Sequence, residues 1–184
     1  MDPKVLGVIE EQLAVQFTGK VNILATFNRQ FLGHIIFKNG EIIQVVFNGH
    51  SGLKAFYRLL IQEHSLQSFD YVVEPELVDD KERQIHYPYS VLKAKISGVV
   101  KAHQDSLKLR PPENIRILID SKFISENTPV SCDEFDVLSS LTEWNNPYEI
   151  YQHCALMDHE ITLALVSLRK KGALKILAPR REAR

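Results

Sequence analysis

The sequence predicts an α+β protein: a small antiparallel sheet packed with helices, followed by a mostly helical region. Three observations predict it. Residues 31–47 read FLGHIIFKNGEIIQVVF, two apolar runs on either side of Asn39-Gly40, the strongest short-range signal for a two-residue type I′ hairpin turn. Residues 20–28, KVNILATFN, alternate with the period of two of a strand. From residue 132 onward the periodicity becomes helical and is punctuated by Pro147 and Gly172.

Each element follows from local pattern. Residues 3–16 predict a short amphipathic helix, with Pro3 in its first turn and Val5, Leu6, Ile9 and Leu13 at helical spacing. In the strand 20–28, Val21, Ile23, Ala25 and Phe27 share one face, and residues 28–30 turn the chain. A simple hairpin register then sets Lys38 against Glu41, Phe37 against Ile42, Ile36 against Ile43, His34 against Val45 and Gly33 against Val46. Both faces of that hairpin are apolar, so each side needs a cover. Residues 47–52 read as a loop and 53–63 as a helix with Leu53, Phe56, Tyr57, Leu60 and Ile61 on one stripe. Residues 67–74 give another strand.

The charged stretch 75–84 marks a domain boundary. A long helix over 87–109 carries Leu92, Ile96, Val99, Val100 and Leu107, and Pro111-Pro112 stops it. Residues 114–120 are extended. Helices over 132–144, 147–156 and 158–171 precede a strand at 173–177, with Asp158 capping the third helix. Three helices and a terminal strand outline a winged helix. The predicted organisation is a domain over 1–75, a linker and long helix over 76–129, and a helical winged-helix-like domain with a basic tail over 130–184.

Composition narrows the function classes. The 184 residues carry a net charge of −1, which gives no global field toward nucleic acid or membrane. Charge is nevertheless uneven: residues 1–80 are net −4, 81–127 net +4 and 128–184 net −1. The opposed charges are compatible with the middle segment docking on the first. Cys132 and Cys154 lack a CxxC pattern and predict reduced thiols. The N-terminus has acids where a signal peptide needs an apolar core, and no window reaches 18 apolar residues. The expected location is cytoplasmic.

The pattern F-x-G-x-I-x-F-x-x-G-x-I-I at Phe31, Gly33, Ile35, Phe37, Gly40, Ile42 and Ile43, preceded by Gly19, is followed by Gly52-x-x-Ala55-x-x-x-Leu59-Leu60 and Phe69. It resembles the PATAN family, the N-terminal domain of PatA-like bacterial response regulators, over roughly residues 3–75. Val46 departs from it, standing where a small residue is expected. The resemblance implies a non-catalytic interaction module in bacterial signalling, in two-component, chemotaxis-like or motility circuits.

The residues offer little chemistry of their own. The turn at 48–54 fits neither the P-loop nor GxGxxG. The seven histidines form no HExxH, and His153 and Cys154 are adjacent on a helix, facing different ways. Acids beside Cys132 oppose a thiolate. Two acids, Asp158 and Glu160, stand where a reader helix would meet phosphates. The residues therefore predict no enzyme, no metal and no cofactor, and the resemblance implies a regulatory adaptor that docks a protein: a receiver domain, a chemotaxis-type complex or a small GTPase. Self-association as a homodimer fits the same surface, nucleic acid is not expected, and transcription regulation through the C-terminal region is the alternative. The residues assigned to docking are Arg29, Phe31, Lys38, Asn39, Glu41, His50 and Arg58. Gly33, in mid-strand, leaves a dent where a helix or a partner backbone can approach closely.

Overall fold

The structure, a computed structural model, describes residues 3–65, 68–126 and 128–177. The basic tail after residue 177 and Gln67 of the predicted strand lie outside the described residues. The chain divides into two units, Met1–Lys101 and Ala102–Arg184. The segment expected as linker and long helix, 76–129, is shared between them.

In the first unit, α1 (Lys4–Ala14) is followed by β1 (Gly19–Ala25), β2 (Phe31–Lys38), β3 (Glu41–Phe47), the two-residue β4 (His50–Ser51), α2 (Gly52–His64) and β5 (Phe69–Pro75). The strands form one antiparallel sheet in the order β4-β3-β2-β1-β5. Asn39 and Gly40 have φ of 50° and 74°, both positive as a type I′ turn requires. Asn48 and Gly49, expected as loop, repeat this with φ of 47° and 78°. They fold the chain back so that Phe47 pairs with His50 and Val46 with Ser51.

The hairpin register departs from the simple one. Lys38 and Phe37 face Glu41 and Ile42 as expected, but Ile36 then faces Gln44, Ile35 faces Val45, His34 faces Val46 and Gly33 faces Phe47. One extra residue in β3, at Ile42-Ile43, makes a β-bulge, and one step of slip exchanges the faces of everything beyond it. Alternation returns beyond the bulge, except that Ile36, on the face opposite Ile35 and Phe37, is buried as well. Ile35, Phe37, Val45 and Phe47 are fully buried together with Val21 and Ile23, each worth about 1.5–3 kcal/mol. His34, Gln44 and Val46 go to the opposite face and are half-buried.

Both helices cover the inner face. Glu63 of α2 accepts from the Val5 N–H of α1 at 2.8 Å and from the Tyr71 hydroxyl of β5 at 3.0 Å. Phe17, just after α1, meets Phe37 edge-on at 6.1 Å. The outer face meets the charged segment after β5. Lys20 pairs with Glu76 at 2.6 Å and Lys38 with Asp80 at 2.6 Å. The bulge leaves the Ile43 carbonyl to accept from the N–H groups of Gln84 and Ile85, at 2.8 and 2.9 Å. Arg83–Glu41 at 3.1 Å and Lys93–Glu10 at 2.5 Å also join basic residues after 80 to acids before it. The charge asymmetry of the sequence is thus matched within this unit.

Gly33 lies where two strands crowd. A Cβ there would stand 2.0 Å from the Val46 carbonyl oxygen. The backbone that approaches the predicted dent is the neighbouring strand of its own sheet.

Helix α3 (Tyr89–Leu107) follows, with Leu92 buried and Leu107 half exposed. The second unit contains β6 (Arg116–Ile119), α4 (Ser121–Ser125), α5 (Cys132–Glu143), α6 (Pro147–His153), α7 (Asp158–Lys170) and β7 (Leu174–Leu177). Its core gathers Ile117, Val137, Leu141, Ile150, Ile161 and Leu165. The predicted helices and terminal strand form, but β7 pairs antiparallel with β6, which precedes all the helices. Ile117 of β6 is buried in the helical core and donates to Asn145 between α5 and α6 at 2.8 Å, so this domain begins well before residue 130. Met157, not Asp158, takes the cap position of α7; Asp158 is its first residue, and the Glu160 carboxylate accepts the Met157 N–H at 2.8 Å. Gly172 ends α7 at φ 77°, with Gly172 donating to Arg169 and Ala173 to Leu168, the double-bonded Schellman end. Cys132 is exposed and Cys154 buried, and neither is in a disulfide.

Candidate functional site

The seven residues assigned to docking fall into two groups at opposite ends of β2, an eight-residue strand that spans about 25 Å. Lys38, Asn39 and Glu41 surround the β2–β3 turn and are tied down there. Lys38 and Glu41 hold the ion pairs with Asp80 and Arg83, and the Asn39 N–H donates to Thr18 Oγ1 at 2.9 Å. The Lys38 ammonium bound to Asp80 holds that carboxyl below its usual range. A cleft of about 300 Å³ opens beside this turn, lined by Leu13, Glu41, Arg83, His86, Tyr87 and Tyr89 among others.

Arg29 and Phe31 occupy the other end, with His50 of β4. The Arg58 guanidinium of α2 and the His50 imidazole Nε2 are in direct contact, which uses both for structure. The turn that carries Arg29 and Phe31 is built tightly. The Ala25 N–H donates to the Gln30 carbonyl at 2.9 Å, the Arg29 N–H to the Ala25 carbonyl at 2.8 Å, and the Gln30 N–H to Asn28 Oδ1 at 3.0 Å. Arg29 takes φ 55°, a left-handed conformation that a non-glycine residue seldom adopts.

This turn presents apolar area to water. Phe27 is 100% exposed and Phe31 57%. The expectation that Phe27 continues the buried face of β1 fails because the strand ends at Ala25. Thr26 before it and the polar run Asn28-Arg29-Gln30 after it were the available signal that the strand stops short. Phe31 pairs with Leu24 across β1–β2, after a second bulge beside Leu32. That places it on the outer face, its ring 6.2 Å from the ring of His34. Asn22, Leu24, Val46 and Val72 complete a half-buried patch on that face. Burial first, and the neighbouring Lys20 second, hold the His34 imidazole below its usual pKa, which favours the neutral ring. The site is thus two aromatic rings and a guanidinium at a bonded turn, continuous with a mixed apolar–polar sheet face.

In the first turn of α7, Asp158 is bound by Arg110 at 2.5 Å and Glu160 caps the helix. The Arg110 guanidinium lies 4.2 Å over the ring of Tyr151, whose hydroxyl meets Thr162 Oγ1 at 2.7 Å. Arg169 and Lys170 stand at the far end of the helix, where cations suit its dipole. Trp144 stacks on His153 at 4.3 Å, which occupies one of the histidines near Cys154 and His159. Glu134 is a buried carboxylate: burial pushes its pKa up, but the Lys171 ammonium, the Ser167 hydroxyl and the Ser131 backbone N–H outweigh that and bring it to about 2.

Among the described residues no helix is long and apolar enough to cross a membrane, and no group of three or more His, Cys, Asp or Glu side chains is placed to hold a metal ion. No family model, curated protein or solved structure matches the chain.

Proposed function

We propose that the protein is a non-catalytic regulatory adaptor that docks another protein through the β1–β2 turn and the adjoining outer sheet face. The observation that carries this reading is the pair of exposed rings, Phe27 and Phe31, flanking Arg29 on one hydrogen-bonded turn. Aromatic and arginine side chains are enriched at interface hot spots, and a turn already held in shape loses little entropy on binding. The resemblance of residues 3–75 to PATAN domains points to bacterial signalling or motility, with a receiver domain, a chemotaxis-type complex or a small GTPase as the partner class. The acids of α7, committed to Arg110 and to the helix cap, weigh against a DNA-reading role. The docking set narrows to Phe27, Arg29 and Phe31 on the turn, with His34 and Val46 on the face.

The test is affinity capture of the tagged protein from lysate of its host, with and without nuclease, beside Phe27→Ser and Arg29→Ala variants. A nuclease-resistant signalling protein captured by the wild type and lost from both variants, with melting temperatures unchanged, is the expected result. A catch that is nucleic acid, or that is indifferent to the turn, overturns the reading.

A further inference from the structure

The second unit contains a cavity of about 190 Å³ that the docking surface does not use. Leu109, Ile115, Ile117, Leu165, Val166 and Ile176 supply most of its wall. Pro111 and Pro112 stiffen one side, because proline fixes its own φ and restricts the residue before it. Two guanidinium side chains, Arg110 and Arg169, also line it.

The two arginines stand in different electrostatic states. Arg110 is matched: it donates to the Asp158 carboxylate and lies over the ring of Tyr151. Arg169, in the last turn of α7, is exposed, and its guanidinium has no ion-pair partner among the described residues. An uncompensated guanidinium beside an apolar hollow selects a ligand with an apolar body and one anionic oxygen group, since the fork of N–H donors matches a carboxylate. Size narrows the body. Apolar cavities of about 150 Å³ take a benzene-sized guest, so this one takes an aliphatic chain of roughly six to eight carbons or one aromatic ring.

We propose that this cavity, between the 109–112 segment, the β6–β7 pair and α7, binds a small amphipathic monocarboxylate, its hydrocarbon inside and its carboxylate on Arg169. The site is separate from the β1–β2 turn and does not rest on the adaptor reading.

Octanoate is the probe, titrated into the full chain and followed by amide chemical shifts in NMR, with octan-1-ol and acetate as controls. Saturable shifts centred on Leu165, Val166 and Leu174 are expected with octanoate, while octan-1-ol and acetate bind at least about tenfold more weakly. Arg169→Gln, a surface change, is expected to weaken octanoate about tenfold and leave octan-1-ol unaltered. Val166→Trp, which adds bulk to a lining residue of the cavity, is expected to abolish both. Octan-1-ol binding as tightly as octanoate, octanoate binding unaltered in Arg169→Gln, or no saturable shift up to millimolar octanoate would each overturn the proposal.

Discussion

In the first unit the fold rests on alternation. Fully buried side chains of β1, β2 and β3, among them Val21, Ile23, Ile35, Phe37, Val45 and Phe47, share the inner face, and the backbone supplies most of the long-range polar bonds. In the second unit the long-range ties include ionised and hydroxyl side chains at half-buried and buried positions: Glu134 with Ser167 and Lys171, Arg110 with Asp158, Tyr151 with Thr162. The difference teaches where each unit is vulnerable. A sheet packed this closely has no room for an added atom between strands, whereas a helical cluster braced by side-chain charge has no tolerance for losing a partner.

The sharpest way to break the first half of that comparison is Gly33→Ala. The added Cβ would collide with the Val46 carbonyl oxygen, and opening β2 from β3 should cost about 3 kcal/mol or more. Far-UV circular dichroism in urea measures it; a midpoint within error of wild type would mean that the strands yield.

The second half is tested by acid. Glu134 titrates at about 2 in the folded chain and near 4.3 when unfolded, so between those values the unfolded state binds more protons. Its contribution is present above about pH 4.5 and is lost as the pH falls toward 2, on the order of 3 kcal/mol in all. Trp144, the one tryptophan of the chain, lies in this unit and reports the loss by fluorescence. Glu134→Gln should unfold at lower urea at pH 7 and show a flatter acid limb; an acid limb as steep as wild type would assign the transition to other groups.

Thr162→Val removes the 2.7 Å partner of the buried Tyr151 hydroxyl and should cost about 1–2 kcal/mol, read by the same Trp144 signal. The smallest stability effect belongs to Lys38→Ala. Its pair with Asp80 is largely solvated on the acid's side, so less than about 1 kcal/mol is expected, shrinking further in high salt. A large loss there would place the outer-face segment among the determinants of the fold and blur the contrast.

Several elements were legible in the residues themselves. Asn39-Gly40 announced its turn, Pro147 and Gly172 marked helix ends, and the apolar alternation of β1 gave its inner face as far as Ala25. The α+β architecture followed from these local signals because turn chemistry and periodicity act over a few residues. The bulge at Ile42-Ile43 was not legible: Ile-Ile reads equally well in either register, and only closure against β2 and the segment at 84–85 selects one. The candidate site was half legible. Arg29 and Phe31 follow from an exposed turn, but alternation alone puts Phe27 on the core face, since only the end of β1 at Ala25 releases it, and local pattern leaves the partners of Lys38, Glu41, His50 and Arg58 unspecified.

By itself, then, the sequence determined the type of most elements and the Asn39-Gly40 turn, since these depend on near neighbours along the chain. The tertiary structure alone decided which face of the hairpin is core, that β6 completes the helical unit from the far side of its own helices, and which charges are spent on one another. Those outcomes join residues tens of positions apart, such as Glu134 with Lys171 or Ile117 with Ile176, and no local pattern encodes such a meeting.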